Sequence, residues 1–433
     1  MAGVVLTARH PGLIALLPAG IVGIVLGWFI STGSWQQFGI WTVPSVIGWT
    51  TGFADLANQT ATADCIAEGL DVASCDPYGR PYTPYAVLPG RMLAFFGLGL
   101  AQTGSLGIAR AGLYVAGVWL LGRTIARGWS RNASGLVVML ALLTAGALTP
   151  TALLLVERGQ LDIIILALSA SGLAAFSLHT KAAQIARPLG ALALALSVIV
   201  KYFNIGAFAA FLTRRRWSWW AFTAFVVSMI FLAFNFTELQ TTQSTAGADG
   251  PKTGRVMFGA STLLVTLSVE DPLAFAPAPD QQVPTAFFTI IGIAILGLFT
   301  LGWRWWFRAV DMEEAPGVAW YWIVGSAGSV GLPYVLGPSN DYRLILLLPL
   351  FAATAAWWGR GGPTGPLVTV SALVIVALAT NAWMIPNPSG WVLPEAAIIA
   401  GELAISATLG FGLALLTRAW THGHAREQAS GLV

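Results

Sequence analysis

The chain is short of charge. Asp, Glu, Lys and Arg together make up 9% of its 433 residues, against about 25% in an ordinary soluble domain, which excludes a fold whose surface meets water on every side. Cysteine is almost absent: Cys65 and Cys75 are the only two, and their ten-residue separation is not the CxxC spacing of a redox centre or zinc site. The histidines are His10, His179, His422 and His424, and no DxD pair or other metal-ligand cluster accompanies them. A Gly-rich phosphate loop is also lacking, which argues against nucleotide-sugar or ATP chemistry. The net charge of +3 comes with no basic stretch interleaved with aromatics, so nucleic acid is not an expected partner. Neither an inverted nor a parallel repeat of the kind that builds many transporters is visible.

What is present is apolar. Hydrophobic residues are 56% of the chain, with 19 Trp and 22 Phe, the aromatic load expected of a protein with rings at bilayer interfaces and between packed helices. Apolar stretches of about 17 to 25 residues predict an all-α polytopic membrane protein with about 10 to 12 transmembrane helices and no separate soluble domain. They fall near 11–30, 85–101, 106–124, 134–155, 160–180, 188–211, 217–236, 284–302, 317–337, 341–358, 364–382 and 396–417. The N-terminus, with Arg9 and His10 before an apolar run and no small-residue cleavage site, reads as a retained first helix. Twelve spans put both termini on one side, together with Arg214 to Arg216, Arg304, Arg308, Arg360 and Arg418; the positive-inside rule makes that side cytoplasmic. The same map leaves Arg123, Arg127, Arg131, Lys181 and Arg187 on the wrong side. An interfacial or re-entrant segment near 85–101 or 149–156 would repair part of this.

With that orientation the long polar segments, 31–84, 237–284 and 381–395, all lie on the extracytoplasmic face. The first holds both cysteines, for which a disulfide is the simplest state and free thiols the alternative. It also holds Asp55, Asp64, Glu68, Asp71 and Asp76. Asp55, in Gly52-Phe53-Ala54-Asp55-Leu56, has two readings. Partly desolvated by Phe53 and Leu56, it would have a raised pKa and take a proton from an attacking hydroxyl; alternatively it is the N-cap of a short interfacial helix. The run from Asp76 to Tyr85 offers Tyr78, Arg80, Tyr82 and Tyr85 either as a rigid helix entry or as groups that stack on a sugar and grip a phosphate. Lys201 stands inside an apolar stretch, where a cation needs a partner. That partner is a phosphate, or a structural counter-ion among Glu157, Asp162 and Glu402, unless the side chain snorkels to an interface. Arg343 is the second phosphate candidate, its alternative being an interfacial anchor. Glu157, Arg158 and Asp162 crowd one helix junction, which is either a structural turn or part of the outer site.

Taken in order, five segments resemble a known family. Phe53 to Leu56 (Phe-x-Asp-Leu), Tyr82 to Tyr85 (Tyr-Thr-Pro-Tyr), Glu157 to Asp162, Lys201-Tyr202-Phe203 ahead of the arginine turn, and Asn340-Asp341-Tyr342-Arg343 are similar to motifs of the GT-C superfamily of membrane glycosyltransferases, most of all glycosyltransferase family 87. The resemblance covers about residues 50 to 350. It implies a GT-C-like bundle with a site built by extracytoplasmic loops, and transfer of a sugar (mannose or another hexose or pentose) from a polyprenyl-phosphate donor to a glycan or glycolipid acceptor. By position the general base is Asp55, with inversion at the anomeric carbon, Lys201 and Arg343 on the donor phosphate, and Gln160, Asp341 and Tyr342 joining the loop tyrosines at the substrate. No cofactor and no metal are expected, and the location is the cell membrane. No loop histidine matches members that use one, and the Cys65/Cys75 loop is longer than in a simple member. A transporter or flippase of a lipid-linked or small polar solute, and a non-catalytic subunit of an envelope complex, are the competing readings.

Overall fold

A computed structural model describes residues 10–34, 53–70, 87–178, 181–213, 218–236, 257–258, 285–310, 315–336, 339–380 and 395–429. The described regular structure is helical apart from a two-residue antiparallel ladder in which Met257 faces Asn340 and Phe258 faces Ser339. The helices are α1 (Pro11–Thr32), α2 (Ala54–Ala67), α3 (Val87–Phe95), α4 (Thr103–Gly128), α5 (Ala133–Ala147), α6 (Pro150–Glu157), α7 (Asp162–Phe176), α8 (Ala183–Val200), α9 (Trp219–Phe234), α10 (Thr285–Ala309), α11 (Gly317–Leu336), α12 (Leu348–Gly359), α13 (Thr364–Thr380) and α14 (Glu395–Ala429). Besides the single 3-10 turn Leu100–Gln102 ahead of α4, two longer 3-10 segments, the first Tyr202–Phe211 and the second Asp341–Leu347, follow α8 and precede α12.

Among the described residues five helices are long and apolar enough to cross a bilayer: Pro11–Thr32, Leu100–Gly128, Ala183–Val200, Thr289–Ala309 and Ile399–Thr421. A sixth is added if α5 and α6, bent by 49° at Leu148-Thr149, make one broken span, and shorter apolar helices of 10–17 residues pack among them. Helix is the expected answer to such a sequence, because in hydrocarbon each backbone N–H and C=O must be bonded within its own segment. The side chains left outward are those lipid would cover, such as Ile24, Leu189, Trp219, Ile290 and Trp305.

Side-chain contacts show which helix ends lie together. Just past α4, Ser130 donates to the Gly359 carbonyl (2.8 Å) and Arg131 to those of Trp358 (2.8 Å) and Gly362 (3.2 Å). Gly365 at the start of α13 meets the Trp306 ring of α10, and Arg418 of α14 donates to the Phe307 carbonyl at 3.0 Å. Helix α11 runs antiparallel to α14, with Tyr334 on Ser406 and Ala327 on Gly412. Its first turn is therefore at the same end, where Tyr321 joins Phe176 and Phe211 at the last turns of α7 and of the first 3-10 segment. Arg123, Arg127, Arg131, Lys181, Arg187, Arg304, Arg308, Arg360 and Arg418 all belong to this basic end. Residues 53–70, 157–162, 201–204 and 341–343 belong to the opposite one.

Two of the expected spans are corrected. The stretch 85–101 does not cross: its helix, α3, has nine residues, about 14 Å at 1.5 Å per residue, and a hydrocarbon core needs about 30 Å. It lies instead on α2, with Gly90 against Thr62. The stretch 188–211 is not one continuous helix. Helix α8 stops at Lys201, whose backbone is extended (φ −150°, ψ 117°), and the 3-10 segment returns alongside α7 to the basic end. Gly206 there lies directly on Gly328 of α11, where a Cβ on either residue would strike the other's carbonyl. With 85–101 laid on α2 and 188–211 folded back on itself, Arg123, Arg127, Arg131, Lys181 and Arg187 come to the same end as Arg304, Arg308, Arg360 and Arg418.

A single cysteine introduced at Arg127 should therefore react with impermeant maleimide from the same side as one at Arg360, and from the side opposite to one at Glu68. No free cysteine competes among the described residues. Labelling of position 127 together with position 68 would overturn the arrangement.

Candidate functional site

The opposite end is organised by the turn after α6. Gly159 takes the left-handed conformation (φ 60°), and the amides of Gly159 and Gln160 bond back to the carbonyls of Val156 (3.0 Å) and Leu155 (3.1 Å), the paired bonds of a Schellman turn. Three later carbonyls are thereby left for other donors. Phe53 N–H bonds to the Glu157 carbonyl, and the N–H groups of Asp55 and Leu56 both bond to that of Arg158, at 3.2 Å each. Arg110 Nη1 from α4 donates to the carbonyl of Gly159. The first N–H groups of any helix lack partners within it; those of α2 are capped by the end of another helix, with Phe53 at the N-cap in a left-handed conformation (φ 63°).

Asp55 is thus not the N-cap. It lies in the first turn of α2, where its carboxylate Oδ1 forms an ion pair of 2.9 Å with Arg158 Nη1, the side chains being 24% and 15% exposed. Phe53 and Leu56 beside it are buried, so the apolar walls expected around the carboxylate are present. Arg158, a cation that the sequence reading did not place beside it, faces the carboxylate. Farther along α2, Gln59 accepts from Arg110 Nη2 (2.9 Å), Thr60 bonds Thr103 (2.7 Å), and Asp64 accepts from the Leu100 amide (2.8 Å). One face of α2 is therefore bonded to the bundle from end to end.

Lys201 is not a free cation. Its ammonium pairs with Asp162 and lies 3.4 Å from Gln160 Oε1, so of the three counter-ions weighed from sequence the structure selects Asp162. Asp162 is fully buried and Lys201 nearly so. Behind them Asn204 donates to Ser169 (2.7 Å) and Ser197. Arg343 sits with its guanidinium 4.7 Å from the centroid of Phe203, two residues past Lys201. The two expected phosphate ligands, 142 positions apart in sequence, are thus both placed at the head of the 3-10 segment, Arg343 through the Phe203 ring and Lys201 as the residue before Tyr202. Glu157 is 1% exposed and its Oε2 has no hydrogen-bond partner among the described residues.

The Glu157–Asp162 junction therefore joins the same end as Asp55 instead of serving as a remote turn. Cys65 lies in α2 and is disulfide-bonded. Cys75, Tyr78, Arg80, Tyr82 and Tyr85 fall outside the described residues, and for Asp341 and Tyr342 only the backbone, in the second 3-10 segment, is described. Among the described residues no three His, Cys, Asp or Glu side chains are grouped to hold a metal. Sequence reading passed over Arg110 and Gln59. Arg110 carried a signal, being the one charged residue between Leu100 and Gly122 of an apolar stretch; Gln59 is four residues after Asp55 and shares its helix face. Comparison of the chain with protein-family models, curated proteins and solved structures gives no match.

Removing one partner of a buried pair strands the other charge, at a cost of roughly 3–5 kcal/mol. Lys201→Met should accordingly lower the thermal midpoint of the purified protein sharply, and adding Asp162→Leu should restore most of the loss. If the double variant is no more stable than the single one, the pair is not what holds this junction.

Proposed function

We propose that the protein is a membrane glycosyltransferase of the GT-C kind, moving a sugar from a polyprenyl-phosphate donor to a glycan or glycolipid acceptor, with Asp55 as general base. The observation that carries this reading is the placement of Asp55: a partly open carboxylate fixed by Arg158 at the same end of the bundle as Lys201 and Arg343. In the reaction the acceptor hydroxyl gives its proton to Asp55 as its oxygen attacks the anomeric carbon. The bond from that carbon to the phosphate oxygen breaks, its electron pair leaves with polyprenyl phosphate, and the configuration inverts. Charge develops on the leaving phosphate, where Arg343 stabilises it; Lys201, whose ammonium is paired with the buried Asp162, holds the junction at that end. The Arg158 guanidinium holds the carboxylate in one orientation, so the entropy of placing the base is met before substrate arrives.

The orientation of the site follows from the arginines. Their concentration at one end makes that end cytoplasmic by the positive-inside rule, and the Asp55 end then faces outward, where a lipid-linked donor in the outer leaflet reaches it. Helix α3, with Met92, Phe95 and Phe96 exposed beside Arg91, has the make-up of an interfacial helix whose apolar side enters the acyl layer while its charge stays among headgroups.

Purified protein given a panel of polyprenyl-phosphate sugars with lipid and glycan acceptors should consume one of them, and Asp55→Asn should reduce that turnover by at least about 1,000-fold, within the range seen for loss of a general base together with its orienting pair. A folded wild type that leaves the whole panel intact, yet moves a lipid-linked sugar across vesicles, would replace this reading with the flippase.

A further inference from the structure

A guanidinium buried two turns inside an apolar helix has a cost. Arg110 is 9% exposed, its helix is one of the five able to cross a bilayer, and burial of such a group costs several kcal/mol before its hydrogen bonds are counted. The two acceptors found for it are both neutral, the Gly159 carbonyl and Gln59 Oε1. A methionine would fill the same space without the desolvation, so packing alone does not account for an arginine here.

The two acceptors belong to the two pieces that place Asp55. Gly159 is the left-handed residue of the turn whose carbonyls cap α2, and Gln59 stands one helical turn after Asp55 on α2 itself. Arg110 spans them from a third element, with one Nη on each. The surroundings leave no slack: Gly107, one turn before Arg110, lies under the Phe53 ring, and Gly159 lies against Leu56 with 3.0 Å between that residue's Cβ and the position of an added one. The planar fork of a guanidinium directs two N–H groups along fixed lines, which a lysine ammonium does not.

We propose that Arg110 is a positioning residue, fixing the N-terminus of α2 against the Gly159 turn and so setting where the Asp55 carboxylate stands; its catalytic consequence rests on the glycosyltransferase reading above. Arg110 touches neither donor nor acceptor. Its loss should lower kcat without weakening donor binding, since a misplacement of about 1 Å costs on the order of 100-fold in rate.

The test uses the full chain in lipid nanodiscs: wild type, Arg110→Met, Arg110→Lys and Asp55→Asn, each confirmed as folded. Donor kinetics are measured with the polyprenyl-phosphate sugar that the wild type turns over, and amide hydrogen exchange is followed at Asp55 and Leu56. Expected for Arg110→Met are a kcat about 100-fold lower, a donor KM within about twofold, and faster exchange at both amides, with Arg110→Lys recovering part of each. Wild-type kcat or unchanged exchange in Arg110→Met overturns the proposal, as does a rise in donor KM equal to the loss in kcat. Wild-type protein that turns over no donor rejects the glycosyltransferase reading instead, and exchange at the two amides still decides whether Arg110 clamps α2. Should Arg110→Met not fold, Gln59→Leu removes one of the two acceptors and is held to the same criteria.

Discussion

The end of the molecule that carries Asp55 depends on one exchange of hydrogen bonds: the N–H groups that α2 cannot satisfy internally go to carbonyls that α6 cannot satisfy either. Each helix end alone would need water or a side-chain cap. Joined, they place the positive end of one helix dipole on the negative end of another and align the first turn of α2 with the turn at Gly159. The side-chain pairings of this region follow from that alignment. Arg158 supplies the capping carbonyl from its backbone and the partner of Asp55 from its side chain. Glu157 supplies the preceding carbonyl, and Gln160 and Asp162, immediately after the turn, reach Lys201.

Four buried polar groups, Glu157, Asp162, Lys201 and Asn204, lie where helices break, and there is a physical reason for it. A continuous helix in hydrocarbon has no spare backbone groups to share with a charge, whereas a break exposes carbonyls and amides that need partners. The chain breaks at Leu148-Thr149, at Arg158-Gly159 and at Lys201, and the last two of these come together. Between them they bury Glu157, Asp162, Lys201 and Asn204. Farther along the same layer Glu402 and Tyr334 are buried near the corresponding ends of α14 and α11. The opposite end is simpler: arginines there cap carbonyls of neighbouring turns, as Arg131 does at Trp358 and Gly362 and Arg418 at Phe307.

Two glycine contacts show how closely the segments must approach for this to work. Gly206 on Gly328 lets a 3-10 segment lie flush on α11, and Gly107 under Phe53 lets the N-cap of α2 sink into α4. Both are short-range contacts between distant parts of the chain. In each case a methyl group would push apart elements whose hydrogen bonds tolerate only a few tenths of an ångström.

Sequence by itself determined that this chain is mainly apolar and that its long apolar runs form helices, because a run of about 20 residues with almost no charge and no period-2 alternation satisfies its backbone out of water as a helix. It also marked Asp55, Lys201 and Arg343, since an acid beside bulky apolar residues and a cation inside an apolar run are conspicuous in a chain with so few charges. Hydropathy did not distinguish α3 from a span, because the alanines, glycines and leucines of 85–101 are as apolar as those of a true crossing and only the break after Phe95 shortens the helix. Nor did it show the reversal at Lys201, since both arms of that turn are equally apolar. Only the tertiary structure decided the partners. That Lys201 belongs to Asp162, Asp55 to Arg158 and Arg110 to Gln59 and Gly159 depends on contacts across 39 to 103 residues, and no local pattern encodes a distance that the packing of other helices sets.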